Sequence, residues 1–244
     1  MLIAFLSDIH GNLPALEAAY EDARRNGASR IICAGDLTGY GPFPDEVCRF
    51  LQNHNIPAIF GNYDRKVIEV AKHGLSAVQG MKRKKQKILL WTLNHLGKRS
   101  QRYLAGLPEQ LSYRLLDGSR LLVAHGSPVS CEDAIYPSIT EQGAERKIAR
   151  IHPDVLVCGH THIPFVKRVG KTLVVNCGSA GHPVDGDPRP AYAWVRVAKG
   201  EHPQGHIRRF EYDLDCIIAA LEKSSLPKGL RKDFAEGNKR RFLK

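Results

Sequence analysis

Seven side chains able to ligate a metal ion fall in five short clusters of this 244-residue chain: Asp8-Ile9-His10, Gly35-Asp36, Gly61-Asn62, His125-Gly126 and Gly159-His160-Thr161-His162. The donors are carboxylate, carboxamide and imidazole, with no thiolate among them. That set suits borderline to hard divalent ions such as Mn²⁺, Fe²⁺, Zn²⁺ or Ni²⁺ and argues against iron–sulfur or copper(I) sites. Seven ligands are too many for one tetrahedral zinc and suit two ions that share a bridging carboxylate. Two ions held ~3.5–4 Å apart can activate a water and stabilise an in-line displacement at phosphorus.

Each cluster follows an apolar run with the length and composition of a buried strand: LIAFLS, RIICA, IPAIF, RLLVA and DVLVC. In an open α/β sheet, ligands bind in the crevice beyond the carboxyl ends of the strands. Strand alternation points Asp8 and His10 the same way, and likewise His160 and His162. Glycines at 11, 35, 61, 126 and 159 are expected to let the backbone turn sharply at the strand ends.

The first part of the chain predicts a strand near 2–7, a helix over 13–25, a strand near 30–34, a helix near 44–53 and a strand near 56–60. This βαβαβ rhythm implies parallel strands. Residues 65–105 break it and are expected to form a helical insertion near the site mouth. Shorter strands follow at 111–116, 120–124, 154–158, 164–169, 171–176, 190–197 and 206–211, with turns at Asp117-Gly118 and Val169-Gly170 reading as hairpins. Helices near 139–150 and 213–223 complete the set. The pattern fits an α/β fold of two stacked sheets flanked by helices. We expect one domain over 1–222 and a basic C-terminal tail over 223–244.

Hydrophobic content of 43% and charged content of 25% are ordinary for a soluble globular protein. No apolar run approaches the ~20 residues that span a bilayer, and the start reads as a buried strand and not as a signal peptide. Six cysteines without CxxC spacing favour reduced thiols and a cytoplasmic location. The net charge of +11 is uneven. Residues 65–105 carry eleven Lys/Arg against Glu69 alone, and residues 223–244 carry eight against Asp233 and Glu236, leaving the remaining residues net acidic. Such asymmetry points to an anionic substrate or partner. The run Lys82–Lys87 could be a solvated helix face, a guide for an anionic substrate or a nonspecific nucleic-acid contact.

The ordered set DIH, GDLTGYGP, GNYD, AHGS and GHTH resembles the calcineurin-like metallophosphoesterase superfamily, and more closely its small bacterial and archaeal phosphodiesterase branch. GHTHIPFVKRVGKTLVVNCGS is similar to that branch as well. The resemblance covers roughly residues 1–64 and 120–198. It implies a four-layered αββα sandwich of two mixed sheets, with Asp8, His10 and His162 on a first metal, Asp36 bridging, and Asn62, His125 and His160 on a second. The two divalent ions would be Mn²⁺ first, with Fe, Zn, Ni or Mg as alternatives. Catalysis would be hydrolysis of phosphodiesters, with phosphomonoesters a further class, by attack of a metal-bridging hydroxide while Asn62 and His125 help stabilise the developing charge.

Where many relatives have His after Gly-Asn, this chain has Tyr63, a poor proton source at neutral pH because its pKa is ~10. Diesters or good leaving groups are therefore expected as substrates, with Asp64 orienting local structure. Asn12 is read either as a cap of the first helix or, with Tyr63, as a substrate contact. His182 is grouped with the histidines outside the motif, for which a surface or cap role is expected. The partner implied is a phosphorylated or phosphodiester small molecule, nucleotides among them, with no membrane. A second class of function also fits: a nucleic-acid-associated protein or nuclease working through the basic segments. Dinucleoside polyphosphate hydrolase and phosphoprotein phosphatase remain as further alternatives.

Overall fold

A computed structural model describes residues 1–148 and 151–237. In chain order the strands are β1 (Leu2–Leu6), β2 (Arg30–Cys33), β3 (Gln110–Arg114), β4 (Arg120–Ala124), β5 (Val155–Cys158), β6 (Phe165–Val169), β7 (Thr172–Asn176), β8 (Ala191–Arg196) and β9 (Gln204–Arg209). The helices are α1 (Leu13–Arg25), α2 (Pro44–Asn53), α3 (Asn62–His73), α4 (Arg83–Asn94), α5 (Lys98–Ala105), α6 (Glu141–Ile148), α7 (Leu214–Lys223) and α8 (Gly229–Glu236). The strands form two mixed sheets, ordered β2-β1-β8-β9 and β3-β4-β5-β7-β6. The expected hairpins about Gly118 and Gly170 join antiparallel pairs.

Alternation along the strands creates the layers. Ile3, Phe5 and Ile32 of the first sheet face Val123, Val157 and Val175 of the second, filling the space between the sheets. The intervening Ala4, Leu6 and Cys33 point outward into a core built with α1, α2, α3, α4, α5, α7 and α8. On the far face, Leu122, Leu156 and Val174 meet Ala144 and Ile148 of α6. The order is therefore helices, sheet, sheet, helix, an αββα sandwich.

One strand expectation changes, and two segments gain detail. The segment 56–60 forms only a single parallel bridge, Cys33 to Ala58. Pro57 has no N–H to donate, so a ladder cannot continue through it. Residues 65–105 belong to the helical layer: Val67, Val78, Ile88, Leu89 and Leu104 share one core with β1. The start of α4 lines a cavity beside Tyr63. The tail contains α8, whose Leu230 and Phe234 are fully buried. Residues 149–150 of the expected sixth helix and 238–244 of the tail lie outside the described residues. No described helix is long and apolar enough to cross a membrane. All six cysteines are free.

Candidate metal centre

The loops leaving β1 and β2 are laced together beyond the strands themselves. Asp8 N donates to Gly35 O (2.9 Å), His10 N to Asp36 O (2.9 Å) and Gly11 N to Leu37 O (2.8 Å). Gly159 N donates to His125 O (2.9 Å), joining the ends of β4 and β5 in the same manner. Parallel neighbours thus deliver their clusters to one edge of each sheet.

Asp8, His10, Asp36, His160 and His162 are five of the eight described non-glycine residues with positive φ, at +54°, +52°, +51°, +66° and +60°. Such backbone costs ~1–3 kcal/mol at each position and persists only where the surroundings enforce it. It also corrects the alternation argument. These residues lie past the ends of β1, β2 and β5, and left-handed turns, not strand pleating, bring them inward. Asp8 and His10 do converge, whereas His160 and His162 diverge to opposite halves of the cluster.

The glycine expectation is likewise refined. Gly35 is left-handed at +94°, but Gly61 and Gly159 are not. A Cβ at Gly61 would lie 2.1 Å from Asp36 Oδ1, and one at Gly159 would lie 2.4 Å from Asp8 Oδ2. Both glycines serve to leave room for a carboxylate.

Around Asp8 Oδ1 stand three imidazole nitrogens: His162 Nε2 at 3.1 Å, His10 Nε2 at 3.7 Å and His125 Nε2 at 3.9 Å. Asp36 Oδ2 lies 3.5 Å from both His10 Nε2 and His125 Nε2, midway between the two halves. Asn62 Oδ1 faces His125 Nε2 at 3.2 Å and His160 Nδ1 at 2.9 Å. The ligand atoms of Asp8, His10 and His162 lie within 4.8 Å of one another, as do those of Asp8, Asp36 and His125. All seven predicted side chains are therefore brought together; six are buried and His160 is half-exposed.

Three imidazoles have their tautomer set from behind. His10 Nδ1 is bonded to Thr38 O (3.0 Å), His125 Nδ1 to Ala34 O (2.8 Å) and His162 Nδ1 to His182 O. A carbonyl can only accept, so each Nδ1 carries a proton and Nε2 is the nitrogen turned toward the centre, where it becomes a ligand atom once deprotonated. The inner oxygen of Asp8 is likewise aimed at the centre. Its Oδ2 accepts from Ser7 Oγ (2.7 Å) and His160 N (2.9 Å), whereas the buried Oδ1 has no hydrogen-bond partner. A buried carboxylate oxygen without a hydrogen-bond partner, ringed by imidazole nitrogens, is costly unless positive charge sits among them. The residues present fit divalent ions.

The electrostatics agree. Burial pushes Asp8 up, but the imidazoles of His162 and His125 outweigh it and hold its carboxyl well below the usual range. Burial opposes a charge on His125 too, yet Asp36 and Asp8 raise it to about 10. Burial, with the charge on His125, lowers His160 to about 4. The two carboxylates thus keep one positive charge in the cluster.

Asp64 is wholly buried and accepts from Gly61 N (3.0 Å), Leu37 N (3.0 Å), Thr38 N (3.0 Å) and Thr38 Oγ1 (2.8 Å). It ties the start of α3 to the loop bearing Asp36, the orienting task expected of it. Asn12 Oδ1 accepts from Ala15 N (3.2 Å) as cap of α1, and its Nδ2 donates to Gly181 O (2.8 Å). The cap expected of Asn12 is therefore formed. Asn176 and Ser179 shape the neighbouring turn, with Ser179 Oγ donating to Asp8 O (2.7 Å).

Tyr63 packs edge-on to His10 with centroids 5.3 Å apart, and its hydroxyl donates to Tyr40 Oη (2.5 Å). Two neighbours escaped the sequence reading. Tyr40, left-handed at +50°, lies edge-on to His10 at 4.7 Å. His182 is 3% exposed, not a surface group, and stacks on Tyr40 at 4.6 Å and 3°. The signal for His182 was its place six residues after Asn176, at the end of the NCGSAGH run.

A sandwich whose strand-end loops converge on buried carboxylates and imidazoles has the architecture of a metal-dependent hydrolase. The pattern described as the calcineurin-like phosphoesterase superfamily domain matches residues 1–200, and the chain belongs to that superfamily. It is 27% identical over 198 residues to phosphodiesterase YfcE of Escherichia coli K12, covering 77% of this chain and 84% of that protein. Among solved structures, a metallophosphoesterase from Sphaerobacter thermophilus superposes with a TM-score of 0.77 at 28% identity, covering 97% of this chain and 99% of that one. A hypothetical protein of Pyrococcus horikoshii OT3 shares the fold at a TM-score of 0.86 and 24% identity, over 98% and 99% of the two chains.

Proposed function

We propose that this chain is a dinuclear metal-dependent phosphodiesterase. The observation that carries the reading is the orphaned Asp8 Oδ1 within 3.9 Å of three Nε2 atoms. Asp8, His10 and His162 would hold one ion, Asn62, His125 and His160 the other, and Asp36 would lie between them. Bound there, Mn²⁺ or a similar ion would act as a Lewis acid on the phosphoryl group and lower the pKa of the attacking water.

The chain's own residues have separable tasks. Backbone carbonyls behind His10, His125 and His162 keep the rings in the tautomer that presents lone pairs. Asp64 holds the start of α3 against the Asp36 loop, so that the positive end of that helix dipole faces an incoming anion. Asn62, in the first turn of α3, and His125 would stabilise charge developing on phosphorus. Tyr63 orders the mouth by its bond to Tyr40 and does not protonate the leaving group. Diesters with good leaving groups are therefore the preferred substrates, a reading supported by the likeness to a protein described as a phosphodiesterase.

The test is hydrolysis of bis(p-nitrophenyl) phosphate by metal-stripped protein before and after Mn²⁺ is added. Turnover should require the ion and fall by at least ~100-fold in Asp36→Ala. Metal-independent turnover, or an undiminished rate in Asp36→Ala, would overturn the reading.

A further inference from the structure

Building on the phosphodiesterase reading, we propose that the cavity between Tyr63 and the start of α4 binds a second phosphate of the substrate, carried beside a planar aromatic group as in a nucleotide. The cavity measures about 280 Å³. Tyr40, Tyr63, His182, Ile88 and Val184 give it an apolar and aromatic wall, while Lys82, Lys84 and Lys85 outweigh the lining carboxylate of Asp233. It adjoins the candidate centre directly, because the Tyr40 and Tyr63 rings that wall it also pack edge-on against His10.

The charges there are not an ordinary solvated helix face. Of the neighbouring lysines, Lys84 is paired with Asp233 at 2.8 Å and Lys66 with Glu132. Lys85 forms no salt bridge among the described residues and lies half-buried with Nζ 5.0 Å from the Tyr63 ring centroid. Burial, and then the charge of Lys66, pull its pKa below the usual lysine value. Glu132 and Asp36 act on it only from beyond salt-bridge distance, and an ammonium so placed can take an external anion, since lysine binds phosphate as a point charge. The basic surface continues outward. Lys84 also lines a wider cleft of about 800 Å³ with Arg83, Lys87, Lys228 and Arg231, which joins the two basic segments noted in the sequence. The aromatic side chains beside the ammonium favour a base or similar ring over an aliphatic arm.

Calorimetry on the metal-loaded protein tests this with two probes, thymidine 5′-monophosphate and thymidine 3′,5′-bisphosphate. The bisphosphate should bind at least about tenfold more tightly, with an advantage that shrinks as salt rises. The double variant Lys82→Gln/Lys85→Gln should remove most of that advantage. Lys171→Gln should leave it intact, since the β6–β7 turn joins the start of β7 at the end of the sheet opposite the site. Equal affinities in the wild-type protein, or an advantage that survives the double variant, would overturn the proposal. A preserved preference in a protein that fails to hydrolyse bis(p-nitrophenyl) phosphate would support the binding site and reject the phosphodiesterase reading.

Discussion

Gly159→Ala isolates the role of space at the centre. The backbone of Gly159 is not left-handed, so alanine meets no conformational penalty there. Its Cβ would, however, lie 1.9 Å from Ser7 Oγ and 2.4 Å from Asp8 Oδ2. Restoring an ordinary contact near 3.4 Å moves the hydroxyl by about 1.5 Å and the carboxylate oxygen by about 1.0 Å. That breaks the Ser7–Asp8 bond of 2.7 Å and the His160 N–Asp8 bond of 2.9 Å. Overpacking costs ~1–3 kcal/mol, and a hydrogen bond to a charged group contributes ~1.5–3 kcal/mol. The entropic gain of replacing glycine returns only ~0.4–1 kcal/mol. A net loss of about 2–4 kcal/mol should appear in urea unfolding of EDTA-treated protein. Because Asp8 belongs to both candidate ligand groups, Mn²⁺ affinity should fall at the same time, and a shift of about 1 Å should lower turnover by ~100-fold. Gly170→Ala is the control: its φ is +56° but the space is open, so it should cost about 1 kcal/mol and leave metal binding alone. Wild-type unfolding and wild-type Mn²⁺ affinity in Gly159→Ala would refute the reasoning.

Three further outcomes follow from the same geometry. His125 holds its proton up to about 10 without metal, above its unfolded value of 6.5. Its stabilising effect on metal-free protein is therefore complete below pH 6.5 and lost as pH rises through about 10, so the melting temperature of EDTA-treated protein should fall across that window; Mn²⁺ binding at pH 7.5 should release about one proton, and calorimetry in buffers of different ionisation enthalpy would contradict this by showing none. Asp64→Asn replaces an acceptor of four donors by a group that turns an amide toward some of them, and should destabilise by about 2–4 kcal/mol in urea unfolding; a change under ~0.5 kcal/mol would remove Asp64 from its orienting role. Tyr63→His should flatten the dependence of rate on leaving-group pKa across a series of aryl phosphodiesters by supplying an acid, whereas an unchanged slope would mean that this position does not reach the leaving group.

Much of this arrangement was legible in the chain. Buried parallel strands announce themselves as short apolar runs, and the donors stand directly after them, so both the layers and the seven-residue cluster could be read from local pattern. The turns that aim the donors could not. Left-handed conformations at Asp8, His10 and His160 are imposed by bonds between loops distant in sequence, such as Asp8 N to Gly35 O. Gly61 and Gly159 look like turn residues until the facing carboxylates are in place. Segment 56–60 has a strand's composition, but Pro57 limits it to one bridge. Tyr40 lies inside GDLTGYGP and His182 just beyond NCGS, but neither is one of the seven expected ligands, and only their ring packing beside His10 identifies them. The amphipathic helices of 65–105 were evident, but periodicity cannot reveal that their apolar face joins the core of β1.

The central claim, that seven residues from five strand-end loops form one two-ion centre, is tested most directly by anomalous diffraction from crystals grown with Mn²⁺. The account predicts two peaks about 3.5–4 Å apart. One should lie among Asp8, His10 and His162, the other among Asn62, His125 and His160, with Asp36 between them. A single peak, or peaks away from these side chains, would contradict it.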